Sequence, residues 1–126
     1  MSAAENTEAA REFLQLALVE GEPELAVSRF FGPTYTQHSP GLADGADAFV
    51  EFAHRLHGEN PGLRLEICRT FAEGDLVALH TRVLGLGEGE HAAVDMYRFD
   101  AAGKIVEHWE VIQPVPADAA NENGMF

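Results

Sequence analysis

Asp95 sits inside the run Ala92-Ala93-Val94-Asp95-Met96-Tyr97-Arg98-Phe99, whose composition predicts a strand. On a strand, Ala93 and Tyr97 share its face, and Val94 and Met96 point the other way. A carboxylate among such neighbours is costly to bury without a partner. Desolvation makes it a better base than a surface Asp. The plainer alternative is a structural carboxylate bonded to Arg98 or a backbone amide, or one at an exposed edge. His80 interrupts the apolar run Leu76-Val77-Ala78-Leu79. It suits a donor to a substrate carbonyl, a partner for Asp95, or a buried His satisfied by a neighbour.

Four further residues have types that suit a binding site. Tyr35 and His38 offer polar tips near a pocket mouth, and His38 equally suits fixing the Ser39-Pro40 turn. Phe52 is a candidate apolar wall, with Phe49, Leu65 and Ile67. Trp109 is the only Trp. Simple alternation puts it on one strand face with Ile105, Glu107 and Val111. There it either stacks on a planar substrate or fills core or interface.

Other chemistries lack their signatures. His54 and His57 lie three apart on a helical stretch, but no His-x-x-x-His pair with a Glu base occurs and no metal is expected. Gly85-Leu86-Gly87-Glu88-Gly89 joins two strands and lacks the Lys-Ser/Thr of a phosphate loop, so it reads as a hairpin. No G-x-S-x-G motif is present. The expected chemistry needs no cofactor.

The elements that must position these residues fall into two blocks. Ala10, Phe13, Leu14, Ala17 and Leu18 recur at helical spacing over Thr7–Glu20, stopped by Gly21. A second helix is predicted over Pro23–Phe31, ended by Gly32-Pro33. Tyr35–His38 reads as a short strand. Asp44 is placed to cap a third helix over Ala46–His57, with Phe49, Val50, Ala53 and Leu56 as its apolar stripe. Four strands follow: Leu63–Phe71, Leu76–Leu84, Ala92–Phe99 and Lys104–Gln113, joined by short turns. The tail from about Pro114 to Phe126 predicts an extension without regular structure. Helices first and antiparallel strands after imply an α+β fold, a curved sheet with helices on one face. Wrapped into a cone, such a sheet leaves a small-molecule pocket.

Composition narrows the partners. The 126 residues fit one domain, and 46% hydrophobic content supplies one core. Asp and Glu number 21 against 8 Lys and Arg, for a net charge of -13. That excess repels phosphate backbones and anionic membrane surfaces. Cys68 is the single cysteine. It cannot form an intrachain disulfide and reads as a packing residue. The N-terminal stretch lacks the pattern of a signal peptide, and no apolar run is long enough to span a membrane. The expected location is the cytoplasm.

Three motifs carry a family resemblance. Tyr35-Thr36-Gln37-His38-Ser39-Pro40 with Asp44-Gly45 resembles the first-strand motif of the SnoaL-like polyketide cyclases, in the nuclear transport factor 2-like superfamily. Val94-Asp95-Met96-Tyr97-Arg98-Phe99 is similar to their central strand, and Gly103-Lys104-Ile105-Val106-Glu107-His108-Trp109 to their last turn and strand. The tail Gln113-Pro114-Val115-Pro116 with Asn123-Gly124-Met125-Phe126 resembles a subgroup of uncharacterised members.

The resemblance implies a cone-shaped, mostly antiparallel sheet on about three helices. It implies Asp95 as general acid/base and His80, opposite it on the preceding strand, as its assistant. The implied reaction is an aldol-type ring closure or isomerisation of a hydrophobic, polyketide-like carbonyl compound. It also implies a homodimer through the outer sheet face. The same fold hosts non-catalytic binders and assembly modules, so those readings stand beside catalysis. Epoxide hydrolysis is weakened because Asp95 and Arg98 alternate to opposite faces.

Overall fold

The computed structural model describes residues 1–126. Helix α1 (Ala3–Leu14) is capped by Ser2, whose side chain accepts from the Glu5 amide 3.0 Å away. It runs into a π-helical turn, Gln15–Val19, that ends before Gly21. Helix α2 (Pro23–Phe30) starts on a proline whose missing N–H costs nothing in the first turn. Strand β1 (Phe31–Gln37) follows directly, so Gly32 and Pro33, expected as a helix stop, already belong to a strand. Helix α3 (Ala46–Glu59) is preceded by Gly45 and has no side-chain cap. Asp44 does not cap it. Its Oδ1 accepts from the Gln37 and Gly45 amides at 2.8 and 3.0 Å, tying the loop back to the end of β1.

Strands β2 (Arg64–Glu73), β3 (Leu76–Leu84), β4 (His91–Phe99) and β5 (Ile105–Pro114) complete one curled sheet in the order β1-β5-β4-β3-β2. All neighbours are antiparallel except β1 and β5. Three helices thus pack on a five-stranded, mostly antiparallel sheet, which is the cone-like α+β fold expected. Residues 115–126 contain no helix or strand.

The core lies between the helices and the concave sheet face. Phe13 is its hub, with its ring 5.1 Å from Phe31, 5.3 Å from Phe49 and 5.9 Å from Tyr97. Ala10, Ala17, Ala26 and Ala53 are fully buried, and their small size lets the helices approach closely.

Register decides which side chains look inward. Leu79 pairs with Asp95 and Asp95 with Glu110, so the three share the concave face. Two bulges change the alternation. One, at Cys68 in β2, puts that thiol on the surface rather than in the packing expected of it. The other, at Val106 in β5, lets Arg98 face Glu107 while Phe99 faces Ile105. The extra residue reverses the facing of everything beyond it. Ile105, His108, Glu110 and Ile112 point inward, and Glu107, Trp109 and Val111 point outward.

Candidate active site

A cavity of about 570 Å3 opens between the helices and the concave face. Leu14, Leu18, Phe49, Phe52 and Leu56 line it from the helical side, Leu65 and Val83 from the sheet, and Leu63 from the turn before β2. Its polar groups are few and gathered around one place: Gln37, Ser39, Asp95, His108 and Glu110, with Thr81 and Tyr97 beside them. No Lys or Arg lines it.

Asp95 is 6% exposed and His108 is 7% exposed. The His108 Nε2 lies 2.7 Å from Asp95 Oδ1. On its other side, His108 Nδ1 lies 2.8 Å from Gln37 Oε1. The Ser39 amide donates to that same Gln37 oxygen at 3.0 Å, which fixes the orientation of the side-chain amide. Gln37 Nε2 then donates to the Tyr35 hydroxyl at 2.8 Å. Because Gln37 Oε1 only accepts, His108 Nδ1 must carry a hydrogen. The contact between Nε2 and Asp95 therefore needs one more proton, held on the ring or on the carboxyl. The pair is a proton-holding unit whichever atom has it.

Glu110 faces Asp95 across the strands. Burial first, and then the neighbouring Asp95 carboxylate, push the Glu110 carboxyl up to about 8. Burial and Asp95 also raise the Tyr35 and Tyr97 phenols above their ordinary range, so both stay neutral. Tyr97 stacks on the His108 ring at 4.7 Å and holds its plane.

The structure brings Asp95 and Phe52 to the cavity and takes four other expected residues elsewhere. His80 is not beside Asp95. It pairs with Val94, one residue away in register, and that single step puts it on the convex face. There it contacts Arg69 and stacks on Phe126 at 6.1 Å. Tyr35 lies behind Gln37, stacked on Phe31 at 4.1 Å, and does not line the cavity. His38 and Trp109 stack on each other at 4.9 Å, also on the convex side. Glu107 joins them, with its Oε2 2.7 Å from His38 Nε2 and its Oε1 2.9 Å from Arg98 Nε. His38 first, and then Arg98, hold the Glu107 carboxyl below its usual range.

Two residues of the site escaped the sequence reading, Gln37 and His108; Glu110 reads there, with Glu107, as a second pocket carboxylate or as the commoner surface charge. Gln37 carried a signal, since it alternates with Tyr35 on the strand face opposite His38. His108 carried none, and nothing chose Glu110 over Glu107, because the bulge at Val106 inverts the simple alternation.

Fold and site together define an α+β protein with a cavity whose polar end gathers buried ionisable side chains. The model of the SnoaL-like domain matches residues 10–108, and the chain belongs to that family. Three solved structures illustrate the likeness. TsrD from Streptomyces laurentii is 18% identical, with a TM-score of 0.73 over 89% of this chain and 90% of that one. AclR, a candidate hydroxylase from Streptomyces galilaeus, is 24% identical at a TM-score of 0.74, over 90% and 81%. A candidate polyketide cyclase from Acidithiobacillus ferrooxidans is 22% identical at 0.74, over 89% and 91%. At these identities the likeness establishes the shared fold. No curated protein matches the sequence closely enough to count as a relative. No helix is long and apolar enough to cross a membrane.

Proposed function

We propose that the chain is a cytoplasmic, cofactor-independent acid/base catalyst that closes a ring in, or isomerises, a neutral apolar carbonyl compound of the polyketide type. The observation that carries this is the 2.7 Å contact between buried Asp95 and His108 at the polar end of an otherwise apolar cavity. A carboxylate in that place can take a proton from the carbon beside a carbonyl, and His108 steadies it. The enolate then attacks a second carbonyl or is reprotonated elsewhere. Every step moves protons and carbon–carbon bonds without redox change. Phe49, Phe52 and Leu65 hold the flexible chain folded, which supplies proximity.

The lining supports a neutral substrate. A substrate carboxylate or phosphate would meet two acidic side chains and no Lys or Arg. The exposed Cys68 thiol fits a reducing compartment. Residues 1–126 are read as one such domain, with the tail from about 114 as an extension.

We read the convex face as a homodimer surface. Phe71, Val94 and Val111 are exposed there, beside Met96 and Trp109, and apolar patches of this kind mark interfaces.

The test of catalysis uses simple esters of di- and triketides, incubated with wild type and Asp95→Asn and analysed for ring closure by mass spectrometry. Conversion by wild type that falls at least about 100-fold in the variant supports the reading. Equal conversion by both proteins contradicts it.

A further inference from the structure

Asp95 and Glu110 are cross-strand neighbours on the concave face, and both line the same cavity. Two carboxylates this close in an apolar site cannot both ionise at neutral pH. Their surroundings decide which one keeps the proton. Asp95 has His108 Nε2 at 2.7 Å to support its negative charge. Glu110 has no cation: no salt bridge reaches it, and no Lys or Arg lines the cavity. The other titratable groups around it are Tyr97 on β4, His108 on β5 and Tyr35 behind Gln37 on β1. The helices face it only with apolar side chains such as Leu14, Phe49 and Phe52, and β2 and β3 with Leu65, Thr81 and Val83.

We propose that Glu110 is a catalytic residue of this site: it donates the proton that caps the developing enolate oxygen while Asp95 takes the carbon-bound proton. This rests on the acid/base reading above and adds the missing acid. The C–H bond breaks and its proton goes to Asp95. The electron pair forms the C=C bond of the enol, and the carbonyl π pair goes to the oxygen, which receives the Glu110 proton. Asp95 is left protonated and Glu110 ionised. Because the two are adjacent, the proton passes from Asp95 to Glu110, restoring the starting state with no net proton gained or lost.

The arrangement also narrows the ligand. A group that donates from Glu110 needs an acceptor on the substrate, so a ketone or ester carbonyl fits and an ammonium or other cationic donor does not. Burial and the Asp95 charge, which push Glu110 up to about 8, keep its proton in place through neutral pH.

The experiment uses β-tetralone, a neutral bicyclic ketone that accepts hydrogen bonds and does not titrate. Its affinity is measured by calorimetry across pH for wild type, Glu110→Gln and Glu110→Asp. The protonated-carboxyl band is read in parallel by infrared spectroscopy on the ligand-free proteins. In wild type the band is present at neutral pH, and ketone affinity falls about tenfold as pH rises through about 8. In Glu110→Gln the band is lost and affinity is flat, because an amide donates at every pH. Glu110→Asp restores a titrating limb, which a merely structural role would not require. A band unchanged in Glu110→Gln, or the same decline of affinity in that variant, overturns the role of Glu110 and leaves Asp95 as base untouched. Wild type that binds no ketone at any pH overturns the underlying reading and this role with it.

Discussion

His108 bridges Asp95 and Gln37: its Nε2 is 2.7 Å from the carboxylate and its Nδ1 is 2.8 Å from the amide oxygen. The bridge ties the central strand β4 to the edge strand β1 through the strand between them. Gln37 is itself held by the Ser39 amide and by the Tyr35 hydroxyl. Three side chains from two strands, His108, Gln37 and Tyr35, are thereby linked in a chain behind one carboxylate. A carboxylate held this way is fixed in place before any ligand arrives.

That geometry separates the two histidines sharply. His108→Phe keeps a ring against Tyr97 but leaves the Asp95 carboxylate without its donor. We expect a stability loss of about 3 kcal/mol, typical for removing one partner of a buried pair, with ring closure lost as well. His80→Phe alters only the convex face and should leave turnover within about twofold of wild type, since surface changes away from the site are usually near-neutral. Chemical denaturation and the ester assay check both. Equal losses in the two variants would contradict the placement.

Glu110 makes a signed prediction for stability. Its carboxyl rises from 4.5 to about 8 on folding, so between those values the folded chain holds a proton that the unfolded chain has released. Stability from this group is present below 4.5 and declines as pH rises to about 8, by at most about 1.4 kcal/mol per unit. Glu110→Gln removes that decline. The stability of the variant relative to wild type should therefore increase with pH over this window, read from denaturant midpoints. A constant difference would mean that Glu110 is already ionised.

Gly85 is held for two reasons at once. Its φ is +77°, and a Cβ there would collide with the backbone carbonyl of Gly62. Neither obstacle can be relieved by a side-chain rotation. Gly85→Ala should cost about 2 kcal/mol or more, whereas Gly87→Ala, with φ +61° and open space, carries only the backbone strain. Thermal melts of the pair should show the larger drop at Gly85.

The convex face predicts assembly. Val111 is 66% exposed and Phe71 65%. Phe71→Glu should convert a dimer to monomer in analytical ultracentrifugation, and Phe71 does not line the cavity. A wild type that sediments as monomer at high concentration would contradict the homodimer.

The fold was largely legible because hydrophobic period and turn chemistry act locally. The 3.6-residue spacing of Ala10, Phe13, Leu14 and Ala17 marked α1, and the strand patterns from Leu63 onward marked the sheet to within a few residues. Asp95 was legible as a lone carboxylate in an apolar strand. Its partner was not, since facing across strands depends on register. A one-residue shift in the β3–β4 pairing moved His80 to the convex face, and a one-residue bulge at Val106 brought His108 and Glu110 inward while sending Trp109 out. No local pattern in β5 announces that bulge. His38 failed for a simpler reason, because alternation from Tyr35 selects Gln37 and not its neighbour.

As proposed, Asp95 removes a proton from the carbon beside a carbonyl. The most direct measurement is deuterium exchange at the α-carbon of β-tetralone in heavy water, followed by proton NMR with wild type and Asp95→Asn. Exchange above the buffer rate is expected with wild type, with a fall of at least about 100-fold in the variant and its melting profile preserved. Wild-type exchange no faster than buffer, or equal exchange by both proteins, would contradict it.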